Sequence, residues 1–270
     1  PEEVTSGVAN YYASSFIDGS DYCSILVKTR EGRPIKIEGN ELSSITRGGT
    51  SARIQASVLS LYDSERLKGP LHKKGKISWE DIDKRLITLL KTINSNDRKI
   101  VILSYSIISP STKSVYKDFI KTYPNAQIIY YDAISASAIL MANKKSFNQQ
   151  VIPDYRFDKA ELIVSFGADF LGTWLSPIEY TKQYVQNRKP DGENKMSRHI
   201  QLETGMSLTG SNADERVPIK PSEEGIILSN LYNKLAKIKG LPIHNVNVPI
   251  SPIDIKSLTN ELWTNRGKSL

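Results

Sequence analysis

The chain has 270 residues, of which 39% are hydrophobic, with a single cysteine and a formal net charge of +7. This composition can bury one large core or two smaller ones, and one cysteine excludes an internal disulfide framework. The sequence contains no run of about 18 apolar residues, which excludes a membrane-spanning helix. Its lysines are scattered and form no stripe with interleaved aromatic residues, so the charge indicates a solvated basic surface and not a nucleic-acid interface.

The first predicted element is a β-hairpin. Two runs of β-forming residues, 24–30 and 33–38, are joined at Glu31-Gly32, a dipeptide typical of a tight turn. A loop and a short helix follow within RGGTSARIQASVLSLYDSERLKGP. We therefore predict an N-terminal β-rich region over residues 1–75.

From about residue 76 the sequence alternates between strand and helix patterns. Continuous apolar runs predict strands covered on both faces, and amphipathic segments with capping signals predict the helices between them. The predicted strands are 99–105, 126–131, 161–166, 199–203 and 216–220, and the predicted helices begin at or near Ser78, Pro110, Ser135, Ser176 and Ser222. This alternation predicts an α/β fold, with a mostly parallel, Rossmann-like sheet and helices on both faces over residues 76–240.

The remaining segments are predicted to be irregular. Residues 189–195 form a polar loop, and residues 240–256, which contain three prolines, form an irregular stretch. The segment 241–270 is predicted to connect the α/β region to a part that follows. The chain begins at Pro1 without a methionine or signal sequence, and its last residues, RGKSL, are typical of a turn into a further strand. We therefore expect a fragment of a longer polypeptide.

Acidic residues follow several of the predicted strands. In an open α/β sheet, ligands bind at the carboxyl ends of strands, which makes residues there candidates for cofactor binding. Two segments near such strand ends, 166–174 and 202–225, contain the candidates that the resemblance described below assigns: Gly167, Asp169, Glu203, Asp214 and Glu224. The alternative is that the carboxylates cap helices, because Ser222 with Glu223 and Glu224 is also an ordinary helix N-terminus.

Three segments resemble the molybdopterin oxidoreductase family: the hairpin and loop of residues 24–70, FGADFLGTW at 166–174, and residues 202–225. The resemblance implies that the five candidates correspond to residues that contact a molybdopterin guanine dinucleotide. Asp169 stands where the family has Asn and lacks its amide donor, and Glu223 adds negative charge near a site for phosphates. These departures weaken the prediction of nucleotide binding.

The resemblance also implies positions for a four-iron cluster. The family holds this cluster with four cysteines, which correspond here to Phe16, Gly19, Cys23 and Ser51. Because a cubane cluster needs about four soft anionic ligands and only Cys23 offers one, we predict no cluster in this segment and a buried thiol at Cys23. Arg53 corresponds to the Lys or Arg between cluster and pterin, and we predict that it pairs instead with a nearby carboxylate.

No metal ligand is predicted in the α/β region. The family ligates molybdenum through a residue after the second strand, where this chain offers Ser135 or Ser137. A serine that opens a helix is usually an N-cap, so ligation is the lesser alternative. The three histidines, His72, His199 and His244, show no metal-binding spacing and are assigned to surface or packing roles.

Four segments narrow the resemblance to one branch of the family, the molybdopterin-oxidoreductase-like iron–sulfur subunit of alternative complex III. They are PEEVTSGVANYYASSF, TREGRPIKIEGN, SARIQASVLSLYDSERL and SFGADFLGTWLSP. This branch implies no cofactor in the present segment and iron–sulfur clusters only beyond residue 270. It also implies, as partners, other subunits of a membrane-bound respiratory complex on the periplasmic side of the inner membrane.

Three functions therefore remain open. The first is a degenerate domain that serves as a scaffold in a quinol-oxidising electron-transfer complex. The second is an active oxidoreductase that depends on molybdopterin guanine dinucleotide. The third is nucleotide binding by the α/β region without redox chemistry. The missing cysteines favour the first, because an enzyme would lose its electron path from the pterin.

Overall fold

A computed structural model describes residues 5–18, 21–73, 75–95, 98–189, 196–246 and 252–270. The chain divides into two compact units, one formed by residues 1–39 and 50–142 and the other by residues 40–49 and 143–270. The predicted boundaries after residues 75 and 240 remain a prediction, and most of the predicted polar loop, 190–195, lies outside the described residues.

The first unit begins with an antiparallel sheet of three strands, β1 (Ala9–Asp18), β2 (Asp21–Arg30) and β3 (Arg33–Gly39), in the order β1-β2-β3. The predicted hairpin between β2 and β3 is confirmed. Glu31 and Gly32 have φ values of 49° and 73°, the positive pair that a tight two-residue hairpin turn needs. Strand β1 is not predicted from the sequence, where this segment is interpreted only through its cysteine spacing.

A short helix, α1 (Ala52–Ala56), and a 3-10 turn, Ser57–Leu61, follow the sheet. The described elements that come next along the chain are β4 (Leu71–His72), β5 (Gly75–Lys76), α2 (Trp79–Ser95), β6 (Ile100–Ser104), α3 (Pro110–Thr122), β7 (Ala126–Tyr130) and α4 (Ser137–Phe147). Strands β6 and β7 pair in parallel, as predicted. On β6, Val101 and Leu103 are 51% and 70% exposed, so the prediction that this strand is covered on both faces is wrong for the face that these side chains occupy.

The second unit contains a parallel sheet with helices on both faces. Its described elements are β8 (Leu162–Phe166), α5 (Pro177–Gln186), β9 (Arg198–Glu203), α6 (Leu208–Ser211), β10 (Glu215–Pro218), α7 (Pro221–Lys239) and α8 (Ile255–Thr264), and the strand order is β10-β9-β8. The end of the chain lies beside β8, where Val164 N donates to Leu270 O at 2.9 Å. Helix α8, which Asp254 caps, was not predicted and overlaps only the last residues of the segment 240–256 that is predicted to be irregular.

Alternation along the strands divides the core of this unit between the two faces of the sheet. Leu162, Ile200 and Leu202 pack with residues of α7 and α8. Ile163 packs on the other face with Phe157, Phe170 and residues of α5. The predicted α/β fold class is confirmed. Within the described ranges, none of the helices is long and apolar enough to cross a membrane.

Candidate functional site

The predicted cluster positions form a regular piece of β-sheet. Phe16 on β1 lies opposite Cys23 on β2 in the antiparallel register. Cys23 is fully buried, as predicted, and its thiol donates to the Ser24 carbonyl at 3.5 Å. Ser51 is the N-cap of α1, where its hydroxyl accepts from Ile54 N at 3.3 Å, and Gly19 lies outside the described residues. With one thiol, an aromatic ring and a capping hydroxyl, these residues do not fit a four-iron cluster.

Arg53 forms an ion pair with the aspartates that end β1 and begin β2. Its guanidinium donates to Asp18 at 2.7 Å and also to Asp21. The predicted pairing with a nearby carboxylate is therefore confirmed, although Arg53 lies in helix α1 and not in a loop. The side chain that faces the cofactors in the family is here directed to two acidic residues of the same chain.

Ser135 and Ser137, which stand where the family ligates molybdenum, lie at the start of α4. The Ser135 hydroxyl accepts a hydrogen bond of 3.1 Å from the Ser137 backbone, which is the capping use of a serine. Nearby, Asp132 accepts from the hydroxyl and backbone N–H of Ser106, at 2.5 and 2.8 Å. Both hydrogen bonds lower the pKa of Asp132, and the bond from the Ser106 hydroxyl has the larger effect. Hydrogen bonds between Ser106 and Asp132 thus join the carboxyl ends of β6 and β7.

Gly167 and Glu224 come together where β8 ends and α7 begins. Gly167 has a φ of 62° and donates its N–H to Leu202 O at 2.8 Å. A Cβ atom on Gly167 would lie 3.7 Å from Oε1 of Glu224. Within the part of the chain that the structure describes, the Glu224 carboxylate makes no hydrogen bond or ion pair. The capping alternative applies to Glu223, which accepts from Lys220 N at 3.0 Å.

Asp169 joins the turn after β8 to helix α6. One carboxylate oxygen accepts from the hydroxyl and N–H of Thr209 at 2.8 and 3.1 Å. The other accepts from the N–H and hydroxyl of Thr173 at 3.1 and 3.2 Å. Because both oxygens already hold two donors, Asp169 has little capacity left for a nucleotide.

Glu203 is a buried carboxylate, with 4% of its surface exposed. Oε1 accepts from Arg216 Nε at 2.5 Å and from Ser207 N at 3.1 Å, while Oε2 accepts from the Ser207 hydroxyl at 2.6 Å and from Gln201 at 3.3 Å. Burial by itself raises the pKa of Glu203, but the hydrogen bonds from Ser207, Arg216 and Gln201 outweigh it and hold the pKa below its ordinary value.

Asp214 binds an arginine through both oxygens. Arg188 donates to Oδ1 at 2.7 Å and to Oδ2 at 2.8 Å, and Oδ2 also accepts from His199 N at 2.7 Å. The Arg188 hydrogen bonds are the largest cause of the lowered pKa of Asp214. The resemblance assigns Asp214 to nucleotide recognition, but here its negative charge is compensated by Arg188 of the same chain.

A row of polar side chains on β9, which was not predicted from the sequence, links these groups. His199, Gln201 and Glu203 alternate along the strand on one face and are almost fully buried. His199 bonds to Tyr184 and to Gln201, each at 3.2 Å, and its burial lowers its pKa. The predicted packing role of His199 is confirmed. Polar residues at every second position of a buried strand were the available signal.

Sequence comparisons support the resemblance. No family model matches the chain. It is 22% identical over 218 residues to the menaquinone reductase, molybdopterin-binding-like subunit, of Nitratidesulfovibrio vulgaris, covering 79% of this chain and 31% of that protein. It is 20% identical over 236 residues to the arsenate respiratory reductase molybdopterin-containing subunit ArrA of Shewanella sp., and this match covers 82% of this chain and 27% of that protein. A probable oxidoreductase, YoaE of Bacillus subtilis, is 19% identical, and the match covers 82% of this chain and 33% of that protein. The chain thus spans about a third or less of these relatives.

The fold also resembles that of a solved structure. Acetylene hydratase from Pelobacter acetylenicus superposes with a TM-score of 0.52 and 12% sequence identity. The match covers 80% of this chain and 30% of acetylene hydratase. At this identity the likeness concerns the fold alone.

Proposed function

We propose, for a chain that is similar to the molybdopterin oxidoreductases in sequence and in fold, that it forms a degenerate domain of that family. In this proposal the domain is a non-catalytic scaffold of a respiratory, quinol-oxidising electron-transfer complex, of the alternative complex III type. Its partners are other subunits of that membrane-bound complex, on the periplasmic side of the inner membrane. A relative that is named as a molybdopterin-binding-like subunit of menaquinone reductase supports this proposal.

One observation carries the proposal. All six carboxylate oxygens of Asp169, Glu203 and Asp214 accept hydrogen bonds from donors of the same chain. A dinucleotide would have to displace these donors, and an uncompensated arginine or threonine would remain after each displacement. The candidate residues therefore fit an internal framework better than they fit a guanine dinucleotide.

The N-terminal sheet supports the same function. An electron path from a pterin needs a cluster, and the positions that hold it in the family provide a single thiol, at Cys23. We propose that electrons travel through other domains and subunits, while this domain contributes contact surfaces.

An active oxidoreductase is the competing function. Gly167 and Glu224 favour it, since the Glu224 carboxylate has no partner within the described ranges and lies at a strand end, where α/β proteins bind ligands. The relative named as a molybdopterin-containing subunit is also consistent with it. Under this alternative, Glu224 would contact the nucleotide part of the cofactor.

Elemental analysis of the native full-length protein separates the two. Molybdenum, tungsten and iron would be measured per chain, together with any guanine nucleotide released on denaturation. Iron without molybdenum, tungsten or nucleotide supports the scaffold. One equivalent of molybdenum or tungsten per chain refutes it.

Titration of the present chain with guanosine diphosphate tests the third function, nucleotide binding without redox chemistry. The scaffold predicts no saturable heat or change in fluorescence up to millimolar nucleotide. Saturable binding would instead assign the α/β region to nucleotide binding.

A further inference from the structure

Helix α7 and the chain that follows it enclose a cleft of about 540 Å³. Gly240, with a φ of 66°, ends the helix, and the chain then returns beside it. The Tyr232 hydroxyl donates to Pro242 O at 3.3 Å, and the Asn233 amide exchanges two hydrogen bonds with the backbone of His244, at 2.9 and 2.8 Å. The cleft thus has two fixed walls, and its volume lies in the range of small-molecule sites.

The wall that helix α7 forms is basic. Lys234 and Lys237 line the cleft together with Asn230, and their spacing places all three residues on one face of the helix. Within the part of the chain that the structure describes, neither lysine forms an ion pair. The facing wall, residues 243–246, contains no acidic residue. Two uncompensated cations in a cleft without carboxylates favour the binding of an anion.

Asn230 provides a second, independent observation. It is only 9% exposed and lines the cleft, and among the described residues its side-chain amide has no hydrogen-bond partner. Burial of an amide without a partner lowers stability, because the amide loses its hydrogen bonds to water. The neighbouring Ile227 and Leu231 belong to the hydrophobic core, so an apolar side chain would suit this position better. A ligand that accepts from the amide explains why an asparagine stands here.

Capping of the helix explains only part of this arrangement. Lys237 lies in the last turn of α7, where a cation interacts favourably with the helix dipole. Lys234 lies before that turn and Asn230 a further turn towards the start of the helix, where the dipole calls for no compensation. The basic face and the buried amide therefore need another explanation.

We propose that the cleft binds a phosphate group, carried either by a free small molecule or by a lipid headgroup. A phosphate dianion balances both Lys234 and Lys237 and keeps oxygen atoms free to accept from the Asn230 amide. A carboxylate, with one negative charge, would leave one lysine uncompensated. The volume of the cleft leaves room for an organic part beside the phosphate. The inference is independent of the proposed function, because none of the five candidate residues lines this cleft.

The first test titrates inorganic phosphate, glycerol 3-phosphate and acetate into the full chain at constant ionic strength, by calorimetry. We expect phosphate to bind at least about fivefold more tightly than acetate, and Lys234→Gln or Lys237→Gln to weaken phosphate binding by roughly two- to fivefold each. Lys239→Gln is the matched control on the same helix. The Lys239 ammonium lies over the Trp263 ring, 5.5 Å from its centroid, and its loss should leave binding unchanged.

Asn230→Leu separates ligand binding from packing, because leucine has the same branched shape without polar atoms. Since the amide has no described partner to lose, we expect this variant to melt about 1–3 °C higher than the unaltered chain without ligand. Phosphate at about ten times its dissociation constant should raise the melting temperature of the unaltered chain by roughly 2–5 °C, but not that of Asn230→Leu. An amide that serves the fold predicts the opposite, a variant that melts lower with or without phosphate.

Vesicles identify the source of the phosphate. Sedimentation with phosphatidylglycerol vesicles, compared with phosphatidylcholine vesicles, indicates a lipid headgroup if binding is lost in Asn230→Leu and Lys234→Gln. Saturable binding of glycerol 3-phosphate, with vesicle binding equal in all variants, indicates a free small molecule.

Three results overturn the inference: no saturable phosphate binding to the unaltered chain, equal phosphate binding to all variants, or a destabilised Asn230→Leu. Each of them leaves the proposed scaffold function intact.

Discussion

Nε of Arg216 on β10 donates a hydrogen bond of 2.5 Å to Oε1 of Glu203 at the end of β9. The Glu203 side chain is 4% exposed and that of Arg216 is 25% exposed. The pair thus joins two neighbouring strands at the carboxyl edge of the sheet, where a ligand would meet this carboxylate. The charge of Glu203 is compensated inside the protein.

Replacing Glu203 should therefore test a structural role. We expect Glu203→Gln to lower the free energy of unfolding by about 3 kcal/mol, because it leaves the charge of Arg216 partly buried without its partner. Urea denaturation measures this loss. Glu215→Gln is the control, since the exposed pair of Glu215 with Arg198 should be worth less than about 1 kcal/mol. Equal losses in the two variants would contradict the assignment.

Two glycines give a matched pair of substitutions. A Cβ atom on Gly210 would overlap the carboxylate of Glu203, whereas one on Gly225, within helix α7, would meet nothing within 4 Å. We expect Gly210→Ala to destabilise the chain by about 1–3 kcal/mol, because the carboxylate must move away from its donors. Gly225→Ala should stabilise it by about 0.5–1 kcal/mol through helix propensity. Thermal unfolding measures both, and a stabilising Gly210→Ala would show that Glu203 is not held tightly.

His199 should make stability depend on pH. Burial is the main cause of the lowered pKa of His199, so the His199 ring binds fewer protons in the folded chain than in the unfolded chain. The stabilising effect is complete above the unfolded pKa of about 6.5 and is lost as the pH falls through the window below it. Between pH 8 and pH 5.5, the unaltered chain should lose more stability than His199→Gln does. His72→Gln, at an exposed position, is the control and should behave like the unaltered chain. If the free energy of unfolding changes equally with pH in all three chains, His199 does not have this role.

Arg53 should matter less than its place in the family suggests. Its side chain is 54% exposed, and so is much of Asp18, although Asp21 is only 15% exposed. We expect Arg53→Ala to cost at most about 1 kcal/mol and to cost less at high salt. Lys36→Ala, which removes an exposed pair within β3, is the control and should have a smaller effect. A loss of several kcal/mol would indicate that Arg53 has contacts beyond the two carboxylates.

Several features of this fold could be predicted because they depend on residues close together in the sequence. The turn at Glu31-Gly32 follows from the conformational freedom of glycine, and the helix that begins at Pro177 follows from the proline at its first position, although the Ser176 side chain makes no cap hydrogen bond. The loss of the cluster follows from residue identity, since Phe16 has no ligand atom. Strand β1 was missed because its sequence was considered only as a cysteine pattern, and α8 because nearby prolines suggested an irregular chain.

The sequence by itself determined the hairpin of β2 and β3, the alternation of strands and helices that follows it, and the resemblance to a family. Only the tertiary structure decided what the acidic candidate residues bind. Asp169 meets Thr209 from 40 positions away, Asp214 meets Arg188 from 26, and Glu203 meets Arg216 from 13. These partners depend on the register and order of β8, β9 and β10, which periodicity does not specify. A buried carboxylate is stable only with such donors, so the partners that the sheet brings to it decide whether it is free to bind a ligand.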